Sequence, residues 1–67
     1  MGDTKIGKNL KSARLKAKLT QKQLAEKAGV NTNWYARLER GEENASIDTL
    51  KSLAEALKVK VSDIIPF

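Results

Sequence analysis

A chain of 67 residues with no cysteine and no histidine has room for one domain, residues 1–67, and lacks disulfide staples, thiolate chemistry and the usual zinc ligands. Its 13 basic and 8 acidic residues give a net charge of +5, and the excess lies in one half: residues 1–27 hold eight basic and two acidic groups, residues 28–67 five and six. A basic half suits a polyanionic partner or a merely soluble helix face, the missing cysteines suit a reducing cytoplasm, and no apolar run reaches the roughly 20 residues of a membrane span.

The start of the chain, Met1 to Lys11, lacks the apolar segment of a signal peptide. Ile6, Leu10, Ala13 and Ala17 recur at three- and four-residue spacing and predict a first helix over about residues 5–18, with Lys5, Lys8, Lys11 and Lys16 on its other faces. Thr20-Gln21-Lys22-Gln23 reads as a capping box, in which the threonine hydroxyl accepts from the N–H three residues on and the glutamine reaches back. It opens a helix over 21–28 with Leu24, Ala25 and Ala28 inward, stopped by Gly29, where a left-handed residue is needed. Asn31 is a good N-cap for a helix over 32–40, which Gly41 ends. Ser46 caps a fourth helix over 47–57, with Asp48 near its positive end and Ile47, Leu50, Leu53, Ala54 and Leu57 on its apolar stripe. Ser62 and Asp63 open a last short helix over 62–65, which Pro66 cannot extend. The fold class is therefore all-α, with five helices.

Two short capped helices joined by Gly29-Val30-Asn31 have the arithmetic of a helix-turn-helix. Ala25 is small enough for a close helix crossing, and Val30 fits as an apolar plug under the turn. The run Gln21-Lys22-Gln23-Leu24-Ala25-Glu26-Lys27-Ala28-Gly29-Val30, then Leu38-Glu39-Arg40-Gly41 and Leu50 through Leu57, resembles the phage-repressor and Cro (Xre-type) helix-turn-helix family, small restriction–modification controllers included. The resemblance runs from about Ile6 to Ile65 and implies a compact lambda-repressor-like domain that binds operator DNA, commonly as a dimer. Three positions depart from it. Lys18 stands where the family usually has glycine, Glu42-Glu43-Asn44-Ala45 replaces a loop that often carries a basic residue or proline, and Trp34 stands where tyrosine is frequent.

On the helix over 32–40, Tyr35 and Leu38 point one way, while Thr32, Asn33, Ala36 and Arg37 share the opposite face. That face is either the solvated side of an amphipathic helix or a surface that enters the major groove. By the resemblance Thr32, Asn33 and Arg37 are the candidates for base edges, and asparagine pairs bidentately with adenine and arginine with guanine. Ala36 permits close approach or contact with a thymine methyl. The candidates for the DNA backbone are Gln21, at a helix N-terminus that favours phosphate, with Thr20, Arg14, Arg40 and Trp34. Thr20 also has its capping role, and Trp34 serves equally as a half-buried cover for the turn. The resemblance further implies an ion pair between Arg14 and Glu39.

The core is assigned to Ile6, Leu10, Leu24, Val30, Tyr35, Leu38, Leu50, Leu53 and Leu57. That leaves a C-terminal apolar cluster, so Val61, Ile64, Ile65 and Phe67 are assigned to a homodimer interface, the alternative being that Val59 and Ile64 fold back onto the core and Phe67 frays. No enzyme is expected: the serines have no obvious base, Glu42 and Glu43 are adjacent acids in a loop, and no phosphate-cradling glycine loop is present. No cofactor, metal or small-molecule ligand is expected. The partners are double-stranded DNA and a second copy, in a cytoplasmic, nucleoid-associated setting. Alternatives are an antitoxin that regulates its own promoter and a protein-interaction module that kept the fold. The polar Thr32-Asn33 pair and Arg37 argue against the module, and the acidic loop argues for it.

Overall fold

The computed structural model describes residues 4–66. Among them the elements are α1 (Thr4–Lys16), α2 (Gln21–Ala28), α3 (Thr32–Glu39), α4 (Ile47–Leu57) and a 3-10 turn, Val61–Asp63. The architecture is all-helical as expected, but with four α-helices rather than five. The expected fifth is a single 3-10 turn because Pro66 lies too close behind it for a full α turn. Asp63 Oδ2 accepts from the Lys60 amide at 3.1 Å, and the turn closes through Ile64 N–H on the Val61 carbonyl at 3.0 Å.

Local chemistry sets the other boundaries. Thr20 Oγ1 accepts from Gln23 N–H at 3.0 Å while Gln23 Oε1 accepts from Thr20 N–H at 2.8 Å, which completes the capping box of α2. Gly29, at φ 74°, ends α2 in the left-handed region. Asn31 Oδ1 accepts from Trp34 N–H at 3.0 Å, and Ser46 Oγ from Thr49 N–H at 3.2 Å.

The first helix stops at Lys16, two residues before the predicted end. Lys18 turns to φ 59°, and Leu19 N–H closes on the Arg14 carbonyl at 3.1 Å. The lysine thus occupies a left-handed position, where the family resemblance leads one to expect glycine. That costs roughly 1–2 kcal/mol, against about 0.4–1 kcal/mol that glycine would lose through unfolded-state entropy. Lys18→Gly is expected to stabilise the fold by about 0.5–1 kcal/mol on this balance, read as a higher urea midpoint at unchanged slope. A lowered midpoint would show that the side chain outweighs the backbone strain.

The core is Leu10, Leu24, Ala25, Tyr35, Leu38, Leu50, Leu53, Ala54, Leu57 and Ile64, with α2 packed on α3 and α4, and α1 on α3. Ile6 and Val30, assigned to the core, are half-buried at its edge. Ile64 corrects the interface assignment. It is 0% exposed, and its carbonyl accepts from Asn9 Nδ2 at 2.8 Å. The turn therefore folds back onto α1, which an open apolar cluster would not do. Val61 and Ile65 are half-buried against the same core, and Phe67 lies outside the described residues. Among the described residues, the large apolar side chains that stay exposed are instead Leu15 (57%) and Ile47 (50%).

Candidate nucleic-acid interface

The turn Gly29–Asn31 sets α3 across α2, and burial then divides α3 into two faces. Tyr35, Leu38 and Glu39 point inward; Asn33 and Arg40 are exposed; Thr32, Ala36 and Arg37 are half-buried along the outer side. The four residues assigned to base edges therefore share one outward surface at the start and middle of α3. Trp34 is half-buried and packed against the core.

Beneath that surface a polar network fixes α3 to both preceding helices. Glu39 is only 8% exposed, and its carboxylate accepts from Arg14 Nε at 2.7 Å, Arg14 Nη2 at 3.2 Å, Gln21 Nε2 at 3.1 Å and the Tyr35 hydroxyl. Arg14 Nη1 donates to the Leu19 carbonyl at 2.9 Å. One carboxylate thus gathers donors from α1, α2 and α3, a bidentate arginine among them. Burial alone would raise the Glu39 pKa, but the hydrogen bonds from Arg14, Tyr35 and Gln21 outweigh it and hold the group below the ordinary carboxylate value. Burial, with the hydrogen bond to Glu39, pushes the Tyr35 hydroxyl up, so it stays a donor.

The Arg14–Glu39 pair that the resemblance implied is present. It also corrects the placement of Arg14 on the DNA backbone, because the side chain is itself only 10% exposed and its guanidinium is committed inward. Gln21 is half-buried and spends one amide N–H on Glu39, so the residue assigned to phosphate is first a strut between α2 and α3. Thr20 stays exposed, and a hydroxyl that accepts in a cap can still donate outward. Arg40 is exposed but pairs with Glu42, Nε to Oε2 at 2.8 Å.

The loop after α3 holds the other surprise. Glu42 N–H bonds the Arg37 carbonyl at 2.9 Å, folding the loop back along α3, and Glu43 Oε2 then accepts from Arg37 Nε at 2.8 Å. The two adjacent acids of the loop therefore sit on Arg37 of α3 and on Arg40, its C-cap residue. Their sequence signal is weak, since a loop has no fixed periodicity from which to read a side-chain partner.

Against known proteins, the helix-turn-helix family profile matches residues 10–64. The chain belongs to this helix-turn-helix family. It is 43% identical over 60 residues to the immunity repressor protein of Bacillus phage phi105, covering 90% of this chain and 42% of that one. It is 35% identical over 60 residues to the control protein C.SmaI of Serratia marcescens, covering 90% and 71%. The crystal structure of the restriction-modification controller protein C.AhdI from Aeromonas hydrophila superposes with a TM-score of 0.89 at 29% identity, covering 92% of this chain and 94% of that one. The chain thus spans under half the length of the phage repressor and more than nine-tenths of that controller.

Proposed function

We propose that this helix-turn-helix chain is a sequence-specific duplex-DNA-binding transcription regulator that works by occupying an operator and catalyses no reaction. The observation that carries the reading is the outward face of α3, Thr32, Asn33, Ala36 and Arg37, capped at its N-terminus by Asn31 and held to α1 and α2 through Glu39. Such a face enters the major groove with its N-terminal residues toward base edges. Thr20, the remaining N–H of Gln21, and Arg40 flank it as phosphate contacts. The likeness to a phage repressor and to restriction–modification control proteins supports regulation as the role.

A single short recognition helix reads too few base pairs for a useful specificity ratio. The working unit is therefore a two-fold dimer whose half-sites lie about one helical turn, roughly 34 Å, apart. Its surface includes the half-buried Val61 and Ile65 but not Ile64. Selecting bound sites from a random duplex pool, with sedimentation of the resulting complex, tests both parts. The expected result is a motif with dyad symmetry bound by two chains. A selected pool with no enriched motif would overturn specific recognition, and a non-palindromic motif bound by one chain would overturn the dimer.

A further inference from the structure

The Arg37–Glu43 pair joins a candidate base-reading side chain to an acid in the loop that follows. Side-chain exposure is 42% for Arg37 and 32% for Glu43, so the pair is largely wet. A pair of that kind adds little to folding, and it is not needed to close the loop, which the Glu42 N–H to Arg37 carbonyl bond already does. What it does fix is the arginine. Glu43 takes Nε, and no other side-chain hydrogen bond of Arg37 is made among the described residues, so both terminal amines remain available to a partner outside the chain. An arginine reads guanine through two parallel N–H donors, and its long side chain otherwise carries a large rotamer entropy into binding.

We propose that Glu43 is a positioning residue for Arg37: it holds the guanidinium by Nε so that the terminal amines meet a guanine edge, and its charge weakens attachment to DNA of any sequence. The inference rests on the reading of α3 as the recognition helix. Glu43 thereby acts on specificity from both sides. Orientation strengthens the matched contact, while a carboxylate beside the bound phosphates opposes sequence-independent binding. Glu42 shares the second effect only, since its partner is Arg40 at the end of the helix.

The test compares wild type, Glu43→Gln and Glu42→Gln on a duplex selected from a random pool, on its variants with each guanine replaced, and on a random duplex of equal length. Circular dichroism confirms that each variant is folded. Glu43→Gln is expected to bind the random duplex about 2- to 5-fold more tightly and to lose about 3- to 10-fold of its preference for guanine at one position. That second change should vanish in an Arg37→Ala background. Glu42→Gln is expected to show the first change without the second. Matching profiles for the two variants, or a Glu43→Gln that tightens the selected duplex more than the random one, would overturn the positioning role. Wild type that binds no duplex would remove the DNA-binding reading and this inference together. Wild type with a motif but with a guanine preference unchanged by Glu43→Gln would remove only the inference.

Discussion

Arg14→Met alone is expected to lower the unfolding free energy by about 3–5 kcal/mol, because it leaves the Glu39 carboxylate buried without its bidentate partner. A domain of this length has roughly 3–10 kcal/mol in total, so the single variant sits at the edge of folding. Changing Glu39→Leu as well removes the stranded charge. The double variant is then expected to be more stable than Arg14→Met, although the buried Tyr35 hydroxyl and the Gln21 amide lose their acceptor. Adding Tyr35→Phe removes one of those orphans. Urea unfolding of the two singles and the double gives the coupling directly, and additive effects would contradict a structural pair. Acid provides an independent check. The folded-state pKa of Glu39 is depressed, so the folded form binds fewer protons than the unfolded one, and the stabilisation is fully present above the ordinary value of 4.5. It is lost as pH falls from there through the folded-state pKa. Glu39→Gln should lack that component, and an acid limb as steep as wild type would assign it to other carboxylates.

Gly7→Ala is the second large effect. Helix propensity alone favours alanine by about 0.5–1 kcal/mol inside a helix. The structure reverses the sign: a β-carbon at Gly7 would lie 2.4 Å from the Glu39 carbonyl oxygen and 2.7 Å from that of Leu38. These are backbone atoms at the end of α3, and they cannot swing aside as a side chain would, so α1 and α3 must separate. Overpacking of this kind costs about 1–3 kcal/mol or more, and the melting temperature is expected to fall by about 10 °C for a domain of this size. An unchanged or raised melting temperature would mean that α1 is free to shift. The same close approach sets the distance between α1 and α3, the proposed recognition helix, so a folded Gly7→Ala should also bind DNA more weakly.

Neither Gly7 nor its neighbours announce this contact in the sequence, because the atoms it meets belong to residues 38 and 39. The difference between what is legible and what is not follows sequence distance. Thr20 with Gln23, Asn31, Ser46 and Gly29 act within four residues of themselves, so the amino-acid order alone bounds α2, α3 and α4. The outward face of α3 follows from helical spacing. Partners across elements are not legible from spacing. Family resemblance pairs Arg14 with Glu39, but nothing local shows that Gln21 and Tyr35 join them. Ile64 reads as an interface residue because the last segment carries more apolar residues than a short turn ordinarily buries. The Asn9 side chain, 55 residues away, draws that turn onto α1. Lys18 is the useful exception: its departure from the family's glycine marks a strained turn in the sequence itself, and its φ of 59° agrees.

The central claim is that the outer face of α3 reads DNA directly, and a salt titration of wild type and Arg37→Ala on a selected and a random duplex tests it most directly. A dimer with about six phosphate contacts should lose about a thousandfold in affinity for either duplex between roughly 50 and 200 mM salt. Arg37→Ala should cost about 1–3 kcal/mol on the selected duplex and much less on the random one. Affinity that is absent at low salt, flat with salt, or reduced equally on both duplexes by Arg37→Ala would contradict the account.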